Sequence, residues 1–175
     1  MNILILGLAG SGKTTLANKL SLKLGYEVIS LDTYRYGPNW QKKDFDEFRN
    51  GVMAAINKDT GCPKIIESVY NDSDSTKARI RIIQELLPVI KHIYIIKPES
   101  LEIIAAQLID RCIERALLKE KGLPTIIEKP LDRARLLISN ITMYEQNVNM
   151  LMEDFKTDMR VVLLSRDELT NYLQV

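Results

Sequence analysis

The sequence predicts a three-layer α/β fold built on a parallel β-sheet, and three observations carry that expectation. Short apolar runs alternate with longer stretches of helical periodicity along the chain. Most of those runs are continuously apolar, which is how strands read when helices cover both faces of a sheet. A glycine-rich turn follows the first run directly and leads into a helical stretch. The strand–helix–strand rhythm implies parallel strands with right-handed crossovers.

The elements follow in order. The first strand is expected over Asn2–Leu6 and the first helix over 13–24, closed by Gly25. The second strand is expected over Glu27–Leu31, with a helix over 43–57. The third is Lys64–Ser68; Ser73, Asp74 and Ser75 then suit the start of a helix over 75–88. The fourth is His92–Ile96, followed by a helix over 99–120. A long helix over 131–155 has the cleanest apolar stripe, including Leu137, Ile141, Tyr144, Val148 and Leu151. The fifth strand is Arg160–Leu164, after which Ser165 and Glu168 form a capping box for a short helix over 166–173. Gly122 and Pro124 break the helical pattern, so Lys119–Lys129 reads as a mobile insertion.

Composition narrows the classes. A chain of 175 residues fits one domain, 1–175. Lys and Arg number 24 against 23 Asp and Glu, a net charge of +1. That excludes a generally basic nucleic-acid coat and an acidic disordered tail, while leaving room for a local basic cleft. No run approaches roughly 18 apolar residues, so no membrane partner is expected. The start Met1–Leu6 lacks the positive charges of a signal peptide. Cys62 and Cys112 form no CxxC and read as free thiols in a reducing, cytoplasmic setting.

Gly7-Leu8-Ala9-Gly10-Ser11-Gly12-Lys13-Thr14 matches G-x-x-x-x-G-K-S/T at every fixed position, after a strand and before a helix. The glycines let successive backbone N–H groups face one anion, and the helix N-terminus adds partial positive charge there. Gly7, Ala9, Gly10, Ser11, Gly12, Lys13, Thr14 and Thr15 are therefore the expected nucleotide-binding residues. Lys13 can reach the β- and γ-phosphates, and the Thr14 hydroxyl is placed for Mg²⁺. The expected cofactors are ATP and Mg²⁺.

The rest of the chain must set the class. Asn57-Lys58-Asp59 resembles the base-recognition motif of switch GTPases, but its Asp comes one residue early, and it reads as a polar helix exit. A motor or AAA-type ATPase would carry an acid at the end of an apolar strand. The nearest candidate is Glu67. It either holds a Mg²⁺-bound water or a substrate hydroxyl, or simply ends the strand.

The chain resembles the small P-loop kinases of the adenylate-kinase and polynucleotide-kinase type. Three features carry the likeness: the N-terminal phosphate loop, Leu31-Asp32-Thr33-Tyr34-Arg35, and Asp110-Arg111-Cys112-Ile113-Glu114-Arg115. Polynucleotide kinases carry a similar Asp followed three residues later by Arg. This resemblance implies Asp32 as general base and Arg35 as a clamp on an acceptor phosphate. Arg111 and Arg115 resemble the arginines at the start of an adenylate-kinase lid, which implies that they stabilise the transferring phosphate across a lid of about 111–135. Asp32, Pro38 and Trp40 are also similar to a segment of the topology-modulation kinases, as Glu67-Ser68-Val69-Tyr70-Asn71 is more loosely. Trp40 is then an aromatic wall for a base or a core anchor, and Tyr70 lies near the cleft.

The resemblance implies a five-stranded parallel sheet of order 2-3-1-4-5, with helices on both faces and a short lid. It implies ATP-dependent phosphoryl transfer to a hydroxyl on a nucleoside, a polynucleotide end or a hydroxymethyl base in DNA. Lys13, Asp32, Arg111 and Arg115 would be catalytic; Asp32, Arg35, Trp40, Glu67 and Tyr70 would face the acceptor. The alternatives are a nucleoside monophosphate kinase and an NTP-binding regulatory protein with weak hydrolysis.

Overall fold

Asn2–Gly7 (β1) is the central strand of a five-stranded, all-parallel sheet of order β2-β3-β1-β4-β5. Its partners are Glu27–Ser30 (β2), Lys64–Val69 (β3), Ile90–Ile96 (β4) and Val161–Leu164 (β5). The computed structural model describes all residues except 38–40, 72–73, 98, 121–129, 166–167, 169–170 and 172–175; side chains at 74–76, 115, 118–120, 130–134 and 136 are likewise outside the description. The helices are Lys13–Leu24 (α1), Leu31–Arg35 (α2), Phe45–Asn57 (α3), Asp74–Leu86 (α4), Leu101–Glu120 (α5), Pro130–Thr142 (α6) and Tyr144–Phe155 (α7).

The continuous apolar character of the strands is explained by two separate cores. Alternate residues of β1 point to opposite faces. Ile3 and Ile5 pack with Leu16, Ala17 and Leu20 of α1. Leu4 and Leu6 pack on the other side with Phe48 and Val52 of α3, Ile82 and Ile83 of α4, and Leu151 and Phe155 of α7.

Most elements differ by one or two residues at an end from the sequence expectation, and three differences have a clear physical cause. The second strand stops at Ser30, and Leu31 opens a helix of five residues. Leu31 is fully buried, so its apolar character reads equally well as the end of a strand. The long helix expected over 131–155 is broken at Met143, whose φ of −97° and ψ of 9° leave the helical region. Thr142 donates its hydroxyl to the Ile138 and Ser139 carbonyls, a back-bond that bends helices. The third long helix ends at Leu86, and Leu87–Val89, which contains Pro88, tightens into a 3₁₀ turn before β4.

Several caps form as the sequence suggests. Gly25 adopts φ 69° and donates its N–H to the Ser21 carbonyl. Ser165 and Glu168 bond reciprocally, although most of the helix expected at 166–173 lies outside the described residues. The expected insertion at 119–129 lies almost wholly outside them too. Among the described residues, no helix is long and apolar enough to cross a membrane.

Ile66 is fully buried at the centre of β3, whereas Leu22 on α1 is 87% exposed. Ile66→Ala is expected to cost about 2–5 kcal/mol in denaturant unfolding. Leu22→Ala should stay within about 0.5 kcal/mol of the parent.

Candidate functional site

All five strands run in one direction, so their carboxyl ends share one edge of the sheet, where ligands of open α/β folds bind. The phosphate loop leaves β1 there. Gly12 adopts φ 91° and Gly10 φ 83°, conformations that side chains other than glycine strain to reach. Gly7 is tight for a different reason: a Cβ at that position would lie 2.6 Å from Ser11 Oγ, so the hydroxyl would have to turn away. Ser11 Oγ is buried and has no hydrogen-bond partner among the described residues. A buried hydroxyl of this kind, at the mouth of a curled glycine loop, suits a phosphate oxygen.

Lys13 is buried, and its Nζ donates to the Leu8 carbonyl of the same loop at 2.7 Å. Burial lowers its ammonium pKa from 10.5 to about 8, against the upward pull of Glu67 and Asp32; Arg111 and Arg79 push it down further. Those four neighbours define the electrostatics of the site.

Glu67 is 5% exposed, two residues before the end of β3, and pairs in register with Ile5 of β1 and Ser30 of β2. Because β3 lies directly beside β1, this carboxylate reaches the start of α1. Thr14 Oγ1 donates to Glu67 Oε2 at 3.3 Å. Thr14 is exposed, so a hydroxyl and a carboxylate oxygen lie together at the open side of the loop. Paired oxygen donors of this type fit Mg²⁺. Thr15, also exposed, follows on α1.

Asp32 lies in the first turn of α2, just beyond the end of β2, and is half exposed. Its Oδ1 accepts from Arg79 Nη2 of α4 at 2.5 Å. Arg79 stands in a basic run with Lys77 and Arg81, yet it is 4% exposed. A signal was present: Arg79 occupies the same stripe as Ile82, Ile83 and Leu86, and a lone Arg on a buried stripe must find a carboxylate. Arg81 instead stacks on Phe45, 3.9 Å above its ring.

The α5 helix rests on the loop. Leu108 is 3.5 Å from where a Gly10 Cβ would sit. Arg111, three residues further and so on the same face, is exposed and close enough to Lys13 to bias its charge. Arg115 is one turn beyond on α5; its side chain lies outside the described residues. Trp40 lies outside them altogether.

Two further residues are committed to the scaffold. Arg35 Nη1 donates to the Lys43 carbonyl, and its guanidinium lies 5.4 Å over the Phe48 ring. It thereby closes the loop after α2, which Gly37 N–H to Gln41 carbonyl at 2.9 Å also ties. Tyr70 is 2% exposed and packs edge-on against Phe155, with ring centres 5.6 Å apart. Its hydroxyl donates to Asp154 Oδ2 at 2.5 Å, and burial with that bond pushes the phenol pKa up. Tyr70 therefore anchors α7 to the end of β3. Asn57-Lys58-Asp59 precedes β3 and so lies at the opposite end of the sheet from the phosphate loop.

The family model described as AAA domain matches residues 3–163. No curated relative matches. Among solved structures, a gluconokinase from Sinorhizobium meliloti 1021 superposes with a TM-score of 0.55 at 15% identity, covering 99% of this chain and 87% of that one. A sugar kinase from Janibacter sp. HTCC2649 superposes with a TM-score of 0.57 at 15% identity, covering 99% and 92%. The fold is thus that of small P-loop kinases, and the chain belongs to the AAA domain family.

Proposed function

We propose that this protein is a kinase that moves the γ-phosphoryl group of Mg²⁺–ATP to a hydroxyl of a nucleic-acid-type acceptor. That class comprises nucleosides, polynucleotide ends and hydroxymethyl bases in DNA. The observation that supports it best is the separation of two carboxylates at one loop. Glu67 meets Thr14, where Mg²⁺ would be held, while Asp32 stands at the end of β2, close enough to pull on the charge of Lys13. The two acids thus divide two tasks.

Thr14 and Glu67 would hold Mg²⁺, which neutralises charge on the β- and γ-phosphate oxygens. Loop amides, Ser11 Oγ and Lys13 Nζ bind the phosphates. Asp32 accepts the acceptor's hydroxyl proton as the new O–P bond forms; the bond from the γ-phosphorus to the β–γ bridging oxygen breaks and ADP leaves. Arg111, with Arg115 behind it, spreads the charge of the transferring group. Arg35 and Tyr70 carry no part in this reading, because Arg35 Nη1 is bound to the Lys43 carbonyl and the Tyr70 hydroxyl to Asp154.

A second reading keeps the chemistry and changes the acceptor to a sugar hydroxyl. The gluconokinase and sugar kinase superpositions favour it. An acceptor that is itself a phosphate would meet the Asp32 charge, which disfavours a nucleoside monophosphate.

Transfer of labelled γ-phosphate from ATP to a panel of nucleosides, nucleoside monophosphates, DNA and sugars decides among these. Label on a nucleoside or DNA hydroxyl is expected; label on sugars alone supports the second reading. Release of inorganic phosphate alone would overturn both. Asp32→Asn should lower turnover by about 10²–10⁴-fold while nucleotide affinity holds. An active Asp32→Asn enzyme would sink the base role.

The Lys13 pKa yields a pH prediction. Free Lys13 loses its proton near pH 8, and a bound triphosphate restores it. Nucleotide affinity should therefore be flat below about pH 7 and weaken by up to about tenfold per unit above pH 8, with proton uptake in calorimetry. Lys13→Met should bind weakly and show no such slope. In the free protein the sign is opposite. Its folded pKa lies below the unfolded one, so this group adds stability as pH rises from about 8 to 10.5.

A further inference from the structure

Arg79 is the buried member of an uneven pair. Its guanidinium is 4% exposed, while the Asp32 side chain it meets is 51% exposed. Pairs between two exposed side chains hold each other loosely. Here one partner cannot move, because α4 is held in the core by Ile82, Ile83 and Leu86, the residues on the same stripe as Arg79. Arg49 of α3 adds an ion pair to Glu85 of α4 at 2.6 Å. At 2.5 Å the contact is a close, charge-assisted one. Asp32 itself rides on a helix of only five residues, which offers little rigidity of its own.

We propose that Arg79 is a positioning residue for phosphoryl transfer. It transmits the fixed geometry of the core to the exposed Asp32 carboxylate, tying down Oδ1 and leaving Oδ2 to accept the proton of the acceptor hydroxyl. The inference rests on the reading of Asp32 given above. Phosphoryl transfer gains most from alignment of the attacking oxygen, so a carboxylate free to rotate would lose rate rather than nucleotide affinity.

The test is a double-mutant cycle of Arg79→Gln and Asp32→Asn. Turnover is read with the best acceptor of the panel, and with water as acceptor through phosphate release. Arg79→Gln is expected to lower kcat by about 10–10²-fold, leaving nucleotide Kd within about twofold. Arg79→Lys, which keeps a charge at the site, is expected to recover part of that loss. In the Asp32→Asn background, Arg79→Gln should cost nothing further, since a positioning residue has no effect without the group it positions.

Losses that multiply in the double variant, or an Arg79→Gln enzyme with parental kcat, would overturn the positioning role alone. An Asp32→Asn enzyme with parental turnover would instead remove the reading of Asp32 and this inference with it. If circular dichroism shows Arg79→Gln unfolded, Arg79→Lys carries the same cycle: its kcat loss must vanish once Asp32 is Asn, and a loss that persists overturns the proposal.

Discussion

Ile5 lies opposite Glu67 in the central strand pair, and Ser30 lies opposite Glu67 on its other side. A slip of one residue in either ladder would exchange the faces of β3. Ile66 or Ser68 would then take the place of the carboxylate, and Glu67 would enter the opposite core. Both faces of the sheet are apolar and covered, so such a slip is heavily penalised. The packing of ordinary aliphatic side chains thereby determines where a buried acid meets Thr14 and acts on Lys13. The position of Glu67 thus follows from hydrophobic register.

Around that acid, the charges at the sheet edge compensate one another. Lys13, Arg79 and Arg111 face Glu67 and Asp32. Burying Lys13 alone would be costly, and its lowered pKa records that cost even with two carboxylates near. The net charge of +1 for the chain therefore says little about the field at the cleft, where basic groups come from α1, α4 and α5. An incoming triphosphate adds negative charge to a place already short of it.

Much of this was legible from residues alone. The five strands are legible, the second one residue too long, because burial on both faces forces continuous apolar runs, and the phosphate loop because Gly10 and Gly12 sit at positive φ. What escaped was tertiary. Arg35 and Tyr70 carry polar atoms that suit a ligand, and only the fold shows Arg35 Nη1 on the Lys43 carbonyl and the Tyr70 hydroxyl on Asp154. The basic neighbours Lys77 and Arg81 mask the burial of Arg79, although its spacing to Ile82, Ile83 and Leu86 marks it as inward. The five-residue α2 was hidden because Leu31 belongs to the core whether it ends a strand or opens a helix.

Phe48 shows how such economy constrains change. One part of its ring is sealed in the core with Val52 and Ile82, while the Arg35 guanidinium lies over its face. Arg35 in turn holds the loop that follows Asp32. A single aromatic ring thus serves the interior and, through Arg35, the backbone at Lys43 together. Sequence drift at that position would retune the loop each time it repacked the core.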